Sequence, residues 1–314
     1  MRLTDRIGRR LKLRDLHILL TVAERGSMAK AAEDLAISQP VVSKTIAELE
    51  HAVGVRLLDR SRQGVEPTAH GRALMRRSLT AFDELREGRR EIDFLNDPTT
   101  GEVLVGALAA VIAGLMPEVI GRMHAKYRRL TVHVMQMFTS PTVYDNLRQR
   151  RVDFIIGRLL SGPMDKDLDV EILFDEPVFV VAGASSPWAK RRKSIMMADL
   201  IDQPWVLPQA DTEVGSIVAD AFRASGSALP RPAVVCSSIE MYWSLLATGK
   251  FLAILPRSLL RFGTQRASVK ALPVRLGAEP RPVGIVTLKN RTLSPAAQLL
   301  ISCIHDTAKP LANK

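Results

Sequence analysis

One discontinuity constrains this 314-residue chain more than any other: the hydrophobic period changes between residues 96 and 101. The first 95 residues read as helices, apart from a short stretch with Arg, Gly and Pro around 56–67. From Gly101 onward, short β-branched runs alternate with helical segments, the runs falling at 103–107, 130–137, 153–157, 170–174, 178–182, 233–236, 252–255, 269–272 and 282–288. Such alternation predicts an α/β domain with a largely parallel sheet. Asn96, Asp97, Pro98, Thr99, Thr100 and Gly101 are the expected linker, because Pro and Gly punctuate the switch. No fixed-period repeat or low-complexity tract is present, so solenoid folds are excluded.

The front segment carries the sharper signal. Leu16, Leu19, Leu20, Val22 and Ala23 form the apolar face of a first helix ending near Gly26. Ser27 is placed to cap a second helix, 28–35, whose alanines allow close packing. A turn of Ala36, Ile37 and Ser38 follows, and Ser38 is expected to cap a third helix with Pro40 in its first turn and Gly54 at its end. On that helix Val42, Ile46, Leu49 and Val53 recur at spacings of four, three and four, so one face is buried. The opposite face presents Gln39, Pro40, Val41, Ser43, Lys44 and Ala47 at a helix N-terminus, which favours phosphate. Two short helices joined by a tight turn with such a face make a helix-turn-helix whose second helix enters the major groove. Gln39 suits adenine, and Lys44 suits guanine or a phosphate. On this segment alone, a three-helix bundle with a solvated polar face is the alternative.

The next residues favour the first reading. Arg60 and Arg62 flank a turn at Gln63 and Gly64, and Val65 begins a return strand that Pro67 stops, which makes a small wing able to lay guanidinium groups on a DNA backbone. Thr68 then caps a long helix from 69 to about 94. Its stripe of Leu74, Leu79, Phe82, Leu85 and Ile92 is too long for so small a domain to cover. Either the chain's own second domain or a second copy covers it, and a second copy would also double the DNA contacts.

Charge agrees with a polyanion partner. The chain carries +11 overall, and residues 1–77 alone hold 15 Lys/Arg against 9 Asp/Glu. Cys236 and Cys303 are too few for a disulfide framework and read as two buried thiols in a reducing compartment. No apolar run approaches the length of a membrane span, and Asp15 and His17 interrupt what would be the apolar core of a signal peptide, so a cytoplasmic protein without membrane contact is expected.

The run LRDLHILLTVAERGSMAKAAEDLAISQPVVSKTIAELEHAVGVRLLDRSRQGVEPTAHGRAL resembles the N-terminal winged helix-turn-helix of LysR-type transcriptional regulators. The resemblance rests on helix spacing, the Ser-Gln-Pro start of the third helix, Leu57 and Leu58 before an arginine, and the Thr-x-x-Gly opening of the long helix. The family more often has Phe where this chain has Leu58, a departure that concerns packing. The resemblance implies that Ser38, Gln39, Pro40, Val41, Ser43 and Lys44 read bases and phosphates, supported by Lys30, Arg60 and Arg62. It further implies a DNA-binding domain at 1–67, a linker and dimerisation helix at 68–97, and an effector domain at 98–314 similar to periplasmic binding proteins. In that domain lobe I would take about 98–175 and 270–314, and lobe II about 176–269. The implied partners are promoter DNA, a small-molecule effector, further copies of the chain in a homodimer or homotetramer, and RNA polymerase; no cofactor is implied.

Crossings between the lobes are expected near Asp175 to Pro177 and near Arg266 to Lys270, with a cleft at strand C-termini and helix N-termini. Thr139 and Ser140 before Pro141, Gln209 with Asp211 and Thr212 before a helix at Glu213, and Ser237 with Ser238 before the helix carrying Met241 are the candidate effector contacts. Each also serves as an ordinary helix cap. Leu108 and Ala109, with Ala110, are apolar where the family often offers a hydroxyl, so either the effector has an apolar portion or that edge contributes shape alone. The chain looks most like the branch resembling the regulator of galactose-binding protein, with a small organic acid or a sugar derivative as effector.

Rival readings find little support. Gly-x-Gly-x-x-Gly after a strand, a Walker sequence, Gly-x-Ser-x-Gly and His-Glu-x-x-His are all absent, so neither an enzyme nor a metal site is expected. Asp165, Asp167 and Asp169 around Lys166 read as a solvated loop. A transport solute-binding protein would need export, and an architectural DNA protein would not need 214 residues of α/β domain.

Overall fold

Helix packing in the front segment follows the size of its side chains. In the computed structural model, which describes residues 11–312 apart from 62, 63, 141, 161 and 264, three helices form: α1 (Leu13–Arg25), α2 (Met28–Asp34) and α3 (Gln39–Val53). Ala31 and Ala32 of α2 are buried, letting the backbone approach Val42, Ile46 and Leu49 of α3 and Leu16, Ile18, Leu19 and Val22 of α1. Gly26 and Gly54 end α1 and α3 in left-handed geometry, at φ 59° and 75°. Ser27 caps α2 by accepting the Lys30 N–H. Ser38 differs from expectation: it occupies the cap position, yet its side chain makes no cap hydrogen bond. Pro40 removes the second-position N–H, and the Val41 N–H is taken by the Ser38 carbonyl at 3.0 Å.

Strands β1 (Leu58–Ser61) and β2 (Gly64–Pro67) pair antiparallel, with Arg60 opposite Val65. The Val65 N–H donates to the Gly26 carbonyl at 2.9 Å, tying the hairpin to the end of α1. Glu50 Oε1 accepts the N–H groups of Leu57 and Leu58 at 2.7 and 3.1 Å, which fixes where the chain leaves α3. Thr68 Oγ1 accepts the Gly71 N–H at 3.0 Å and donates to the Arg56 carbonyl, starting the long helix α4 (Ala69–Asn96). Glycine is required at 71, since a Cβ there would lie 2.0 Å from the Leu57 carbonyl oxygen. The chain divides into two compact units between Arg86 and Glu87, within α4.

The second unit is built on two sheets. β3 (Thr100–Leu108), β4 (Arg129–Met137), β5 (Phe154–Arg158), β6 (Leu168–Glu176) and β12 (Arg281–Leu288) form a five-stranded sheet in the order β4-β3-β5-β12-β6. β7 (Val178–Gly183), β10 (Leu252–Pro256) and β11 (Val269–Ala271) form the other, in the order β10-β7-β11. The expected largely parallel sheet is corrected: β3 runs parallel to β4 and β5, but β12 is antiparallel to β5 and β6, and every pair in the smaller sheet is antiparallel. Strands that return from the other sheet enter from the opposite end, a direction that residue pattern does not encode. β8 (Val206–Leu207) and β9 (Val234–Val235) add a short parallel pair.

Alternation along the strands divides each sheet between two apolar layers. Val103, Val105, Ala107, Phe154, Ile156, Val283 and Ile285 face α6 (Leu115–Lys126) and α11 (Pro295–Ala312), whereas Ile155, Val286 and Leu288 face Leu147 and Tyr144. In the smaller sheet Val180, Ala182 and Ile254 pack on Trp205 and Phe222, while Val181, Ala253 and Leu255 pack on Tyr242, Trp243 and Leu246. The first crossing lies at Pro177, between β6 and β7, as the sequence suggests. The second falls later than expected, between the end of β11 at Ala271 and the start of β12 at Arg281. Residues 269–271 therefore pair within the smaller sheet, and Leu272 joins its core, because their side chains bury there before the chain turns back.

A buried charge network fastens the end of α4 to the large sheet. Asp153, just before β5, accepts from the Leu104 N–H at 2.8 Å, from Arg90 at 3.2 Å and from Arg291 at 2.9 Å. Arg90 also donates to Glu87 at 2.7 Å, and Arg291 donates to the Val152 carbonyl at 2.7 Å. The Arg291 side chain is 1% exposed and that of Asp153 3%. Charges this deep are held only when paired and hydrogen-bonded.

Candidate functional site

Two places concentrate the residues singled out from the sequence. On the front unit, Ser38, Gln39, Pro40, Val41 and Lys44 are exposed along the first turns of α3, and Lys30 is exposed on α2. Their common exposure follows from the burial of Val42, Ile46 and Leu49 on the other side of the same helix. Ser43 is half-buried and accepts from the Arg60 guanidinium at 3.5 Å, which joins the hairpin to the polar face of α3. Lys44 meets Glu48 one turn on, at 3.8 Å, an exposed pair of little strength that leaves the ammonium accessible. Arg62 lies outside the described residues. Cationic side chains thus flank the N-terminus of α3, where the helix dipole itself favours anions.

In the second unit a cavity of about 430 Å³ opens between the two sheets. Leu108, Ala109, Thr139, Gln209 and Ser237 line it; Ser140 and Ser238 do not. Ser238 is occupied as the cap of α9 (Ile239–Ala247), accepting the Met241 N–H at 3.2 Å and donating to Glu240. The expected helix after Ser140 starts late: Val143 N–H closes a turn on the Ser140 carbonyl, Ser140 Oγ meets Thr142, and the four-residue α7 (Asp145–Arg148) begins only at Asp145. Thr139 and Ser140 therefore cap no helix, while Pro141 lies outside the described residues. Thr212 caps α8 (Glu213–Ala224), accepting the Gly215 N–H at 3.0 Å, and it also lines the cavity. Gly157 has no Cβ to collide with Leu108, whose side chain would stand 2.6 Å from it, and so Leu108 lies flat across β5 at the cavity edge.

Two charged groups in this cavity escaped the sequence reading. Arg158 ends β5 and Glu176 ends β6, both at strand C-termini where open α/β sheets hold their ligands. A charge just beyond the run Phe154-Ile155-Ile156-Gly157 was the available signal, but a charged residue commonly marks the end of any strand. Glu176 is buried, and its Oε1 accepts the Ser258 N–H at 3.1 Å at the start of α10 (Arg257–Phe262). Burial raises its pKa, opposed by the Ser258 hydrogen bonds and by the Arg158 and Arg257 charges. Burial lowers that of Arg158, opposed by Glu176 and Glu213.

A larger and more open groove, about 630 Å³, runs past Arg89, Asp93, Asp97 and Arg129. Its charges are already paired, Arg89 with Asp93 at 3.4 Å and Arg129 with Asp97 at 2.5 Å. The aspartates around Lys166, expected to be merely solvated, are gathered by Arg148: it bonds Asp145, Asp165 and Asp167 at 2.9, 2.5 and 2.8 Å. Those hydrogen bonds hold the Asp167 carboxyl below its ordinary range. Both cysteines are half-buried and free. Among the described residues no helix is long and apolar enough to cross a membrane.

Comparison with known proteins agrees with this division of the chain. Residues 96–309 match the family model for the LysR substrate binding domain, and residues 13–72 that for the bacterial regulatory helix-turn-helix protein, lysR family. The chain is 28% identical to the uncharacterized HTH-type transcriptional regulator YdcI of Escherichia coli (strain K12), over 95% of this chain and 96% of that protein. It is 29% identical to the HTH-type transcriptional regulator GbpR of Azospirillum brasilense, over 94% of this chain and 86% of the other. Among solved structures, full-length OxyR C199D from Pseudomonas aeruginosa shares the fold at a TM-score of 0.64 and 23% identity, covering 96% of each chain. Helix-turn-helix, long helix and two-sheet ligand domain together make the chain a member of the LysR family of DNA-binding transcriptional regulators, which are not enzymes.

Proposed function

We propose that the protein is a cytoplasmic one-component regulator that reads promoter DNA through α3 and the β1–β2 wing, and that a small molecule in the inter-sheet cavity, an organic acid or a sugar derivative, modulates it. The observation that carries this reading is the cavity itself, mostly apolar and lined from both sheets by Leu108, Thr139, Gln209 and Ser237. Residues 1–67 would bind DNA, with Lys30, Ser38, Gln39, Pro40, Val41, Ser43, Lys44, Arg60 and Arg62 at the interface, and residues 68–97 would pair subunits into a homodimer or homotetramer that engages RNA polymerase. Two recognition helices would then meet half-sites about one helical turn apart, or a multiple of that.

The mechanism is a population shift. A ligand that binds one arrangement of the two sheets, or of the subunits, better than the other changes DNA geometry by that difference, and equal affinity would change nothing. The test screens small organic acids and sugars by thermal shift, then footprints promoter DNA with each compound that raises Tm. A compound that stabilises the wild type should alter its footprint, and Thr139→Val should shrink both effects while leaving DNA affinity in its absence unchanged. Stabilisation that never alters the footprint would contradict ligand control.

A further inference from the structure

The smaller sheet is built from two stretches of chain that contain no carboxylate. Residues 177–198, which hold β7, carry four Lys/Arg and no Asp or Glu, and residues 241–278, which hold β10 and β11, carry six and none. The front segment, by contrast, offsets its 15 cations with 9 carboxylates over residues 1–77. β11 is an edge strand of the smaller sheet, paired with β7. Against it lies the segment that follows β7: a short 3-10 turn, Trp188–Lys190, packs on β11, and the Ile195 N–H donates to the Pro273 carbonyl at 3.0 Å. Lys190, Arg191, Arg192 and Lys193 thereby come to the same edge as Lys270 and Arg275, and all six are exposed. Trp188 anchors the turn: it is half-buried against the core of this sheet, its indole N–H donates to Gln203 at 3.2 Å, and its ring carries the Arg191 guanidinium at 4.6 Å. Among the described residues none of the six cations is in an ion pair. Like charges gathered on one edge repel each other, and the fold places no counter-charge among them.

Such an edge suits a polyanion, and its other features narrow the kind. Among the described residues of 184–198, Met196 is the one large apolar side chain that is exposed, at 69%. One methionine makes neither the apolar face that enters a lipid surface nor the buried centre of a protein interface. Trp188 is committed to Gln203 and Arg191, so it offers no open face to an unpaired base. Duplex DNA asks only for phosphate contacts, and the chain belongs to a family that binds it. A duplex held by the front unit meets any other basic surface of the same chain at high effective concentration.

We propose that the basic edge of the smaller sheet, residues 190–193 with Lys270 and Arg275, is a second DNA-contacting surface that grips the phosphate backbone of duplex flanking the sites read by α3. It goes beyond the reading above, in which residues 1–67 make the DNA contacts. The edge adds affinity and salt dependence without adding sequence preference.

The test uses the full chain and a random-sequence duplex of about 60 base pairs, since backbone contacts are indifferent to sequence. Lys190→Gln with Arg192→Gln and Lys193→Gln leaves Arg191 on Trp188. By fluorescence anisotropy at about 0.1 M salt this triple variant should bind at least about tenfold more weakly than wild type, with the slope of log affinity against log salt reduced by about two to three per subunit. Arg128→Gln with Arg151→Gln and Lys166→Gln removes the same charge from exposed positions next to strands of the larger sheet, and should leave that slope within about half a unit of wild type. An unchanged slope in the first triple, or equal losses in both, would overturn the assignment. Acetylation of wild-type lysines, read by peptide mass spectrometry, locates the contact without any substitution. Saturating duplex should slow modification of Lys190, Lys193 and Lys270 by at least about threefold and leave Lys166 unchanged. Undiminished modification of the first three would overturn the proposal even if the triple variant binds weakly. Full duplex affinity in the triple, with loss of binding to phosphatidylglycerol vesicles, would give the edge to a lipid surface instead.

Discussion

Lys44→Ala should weaken promoter binding several-fold and reduce the slope of log affinity against log salt by about one, as loss of one phosphate contact requires. Fluorescence anisotropy over a salt series measures both, and an unchanged slope would take Lys44 off the backbone. Lys44 was legible from spacing alone, because the buried trio Val42, Ile46 and Leu49 leaves it only the solvent side of α3. Glu176 was not legible, since its burial depends on α10 arriving from 82 residues away. Its folded-state pKa is raised above 4.5, so its contribution to stability is present below that value and fades as pH rises through the folded pKa. Glu176→Gln keeps an acceptor for the Ser258 N–H without the charge. Relative to wild type, its Tm should therefore improve between about pH 4 and about pH 8, and a flat difference would contradict a raised pKa.

Whole elements were readable where a period sustained itself, as in α1 to α4 and in β3, and unreadable where tertiary pairing decided. β8 is two residues long, too short for any alternation to register. The antiparallel entry of β12 and the late return after β11 are settled by which core buries Leu272 and Val283, not by their own order in the chain. Asp153 looked like the first residue of a strand, but it is the hub that ties α4 to β3 and the α11 approach through Arg90, Leu104 and Arg291. Asp153→Ala leaves Arg291 buried without its carboxylate. The loss should be about 3–5 kcal/mol in equilibrium denaturation, much larger than for the exposed pair partner Asp93→Ala. Near-equal losses would mean that the network is solvated and carries no particular weight.

At the scale of the molecule, an apolar row along α4 is uncovered among the described residues. Leu85, Ile92 and Leu95 on α4 are 56%, 61% and 73% exposed, spaced seven and three apart and so on one side of the helix. In the proposed assembly a second subunit covers them. Ile92→Glu with Leu95→Glu should then raise the dimer dissociation constant by at least about a hundredfold, measured by light scattering behind gel filtration. A monomeric wild type would refute the pairing. The division of labour between a basic reader at the front and a cleft behind it was visible in the sequence as the change of period near residue 96 and as the basic excess before residue 77. The charges of the cleft were not, because Arg158 and Glu176 come to one cavity only when the ends of two separate strands converge. The most direct measurement of the central claim is a titration of the purified protein against the DNA upstream of its own gene and against random DNA of equal length, across a salt series. The account predicts a specific complex at least about a thousandfold tighter than the random one, with a steep salt slope. Equal, weak binding to both DNAs would contradict it, reducing the basic front of the chain to non-specific charge.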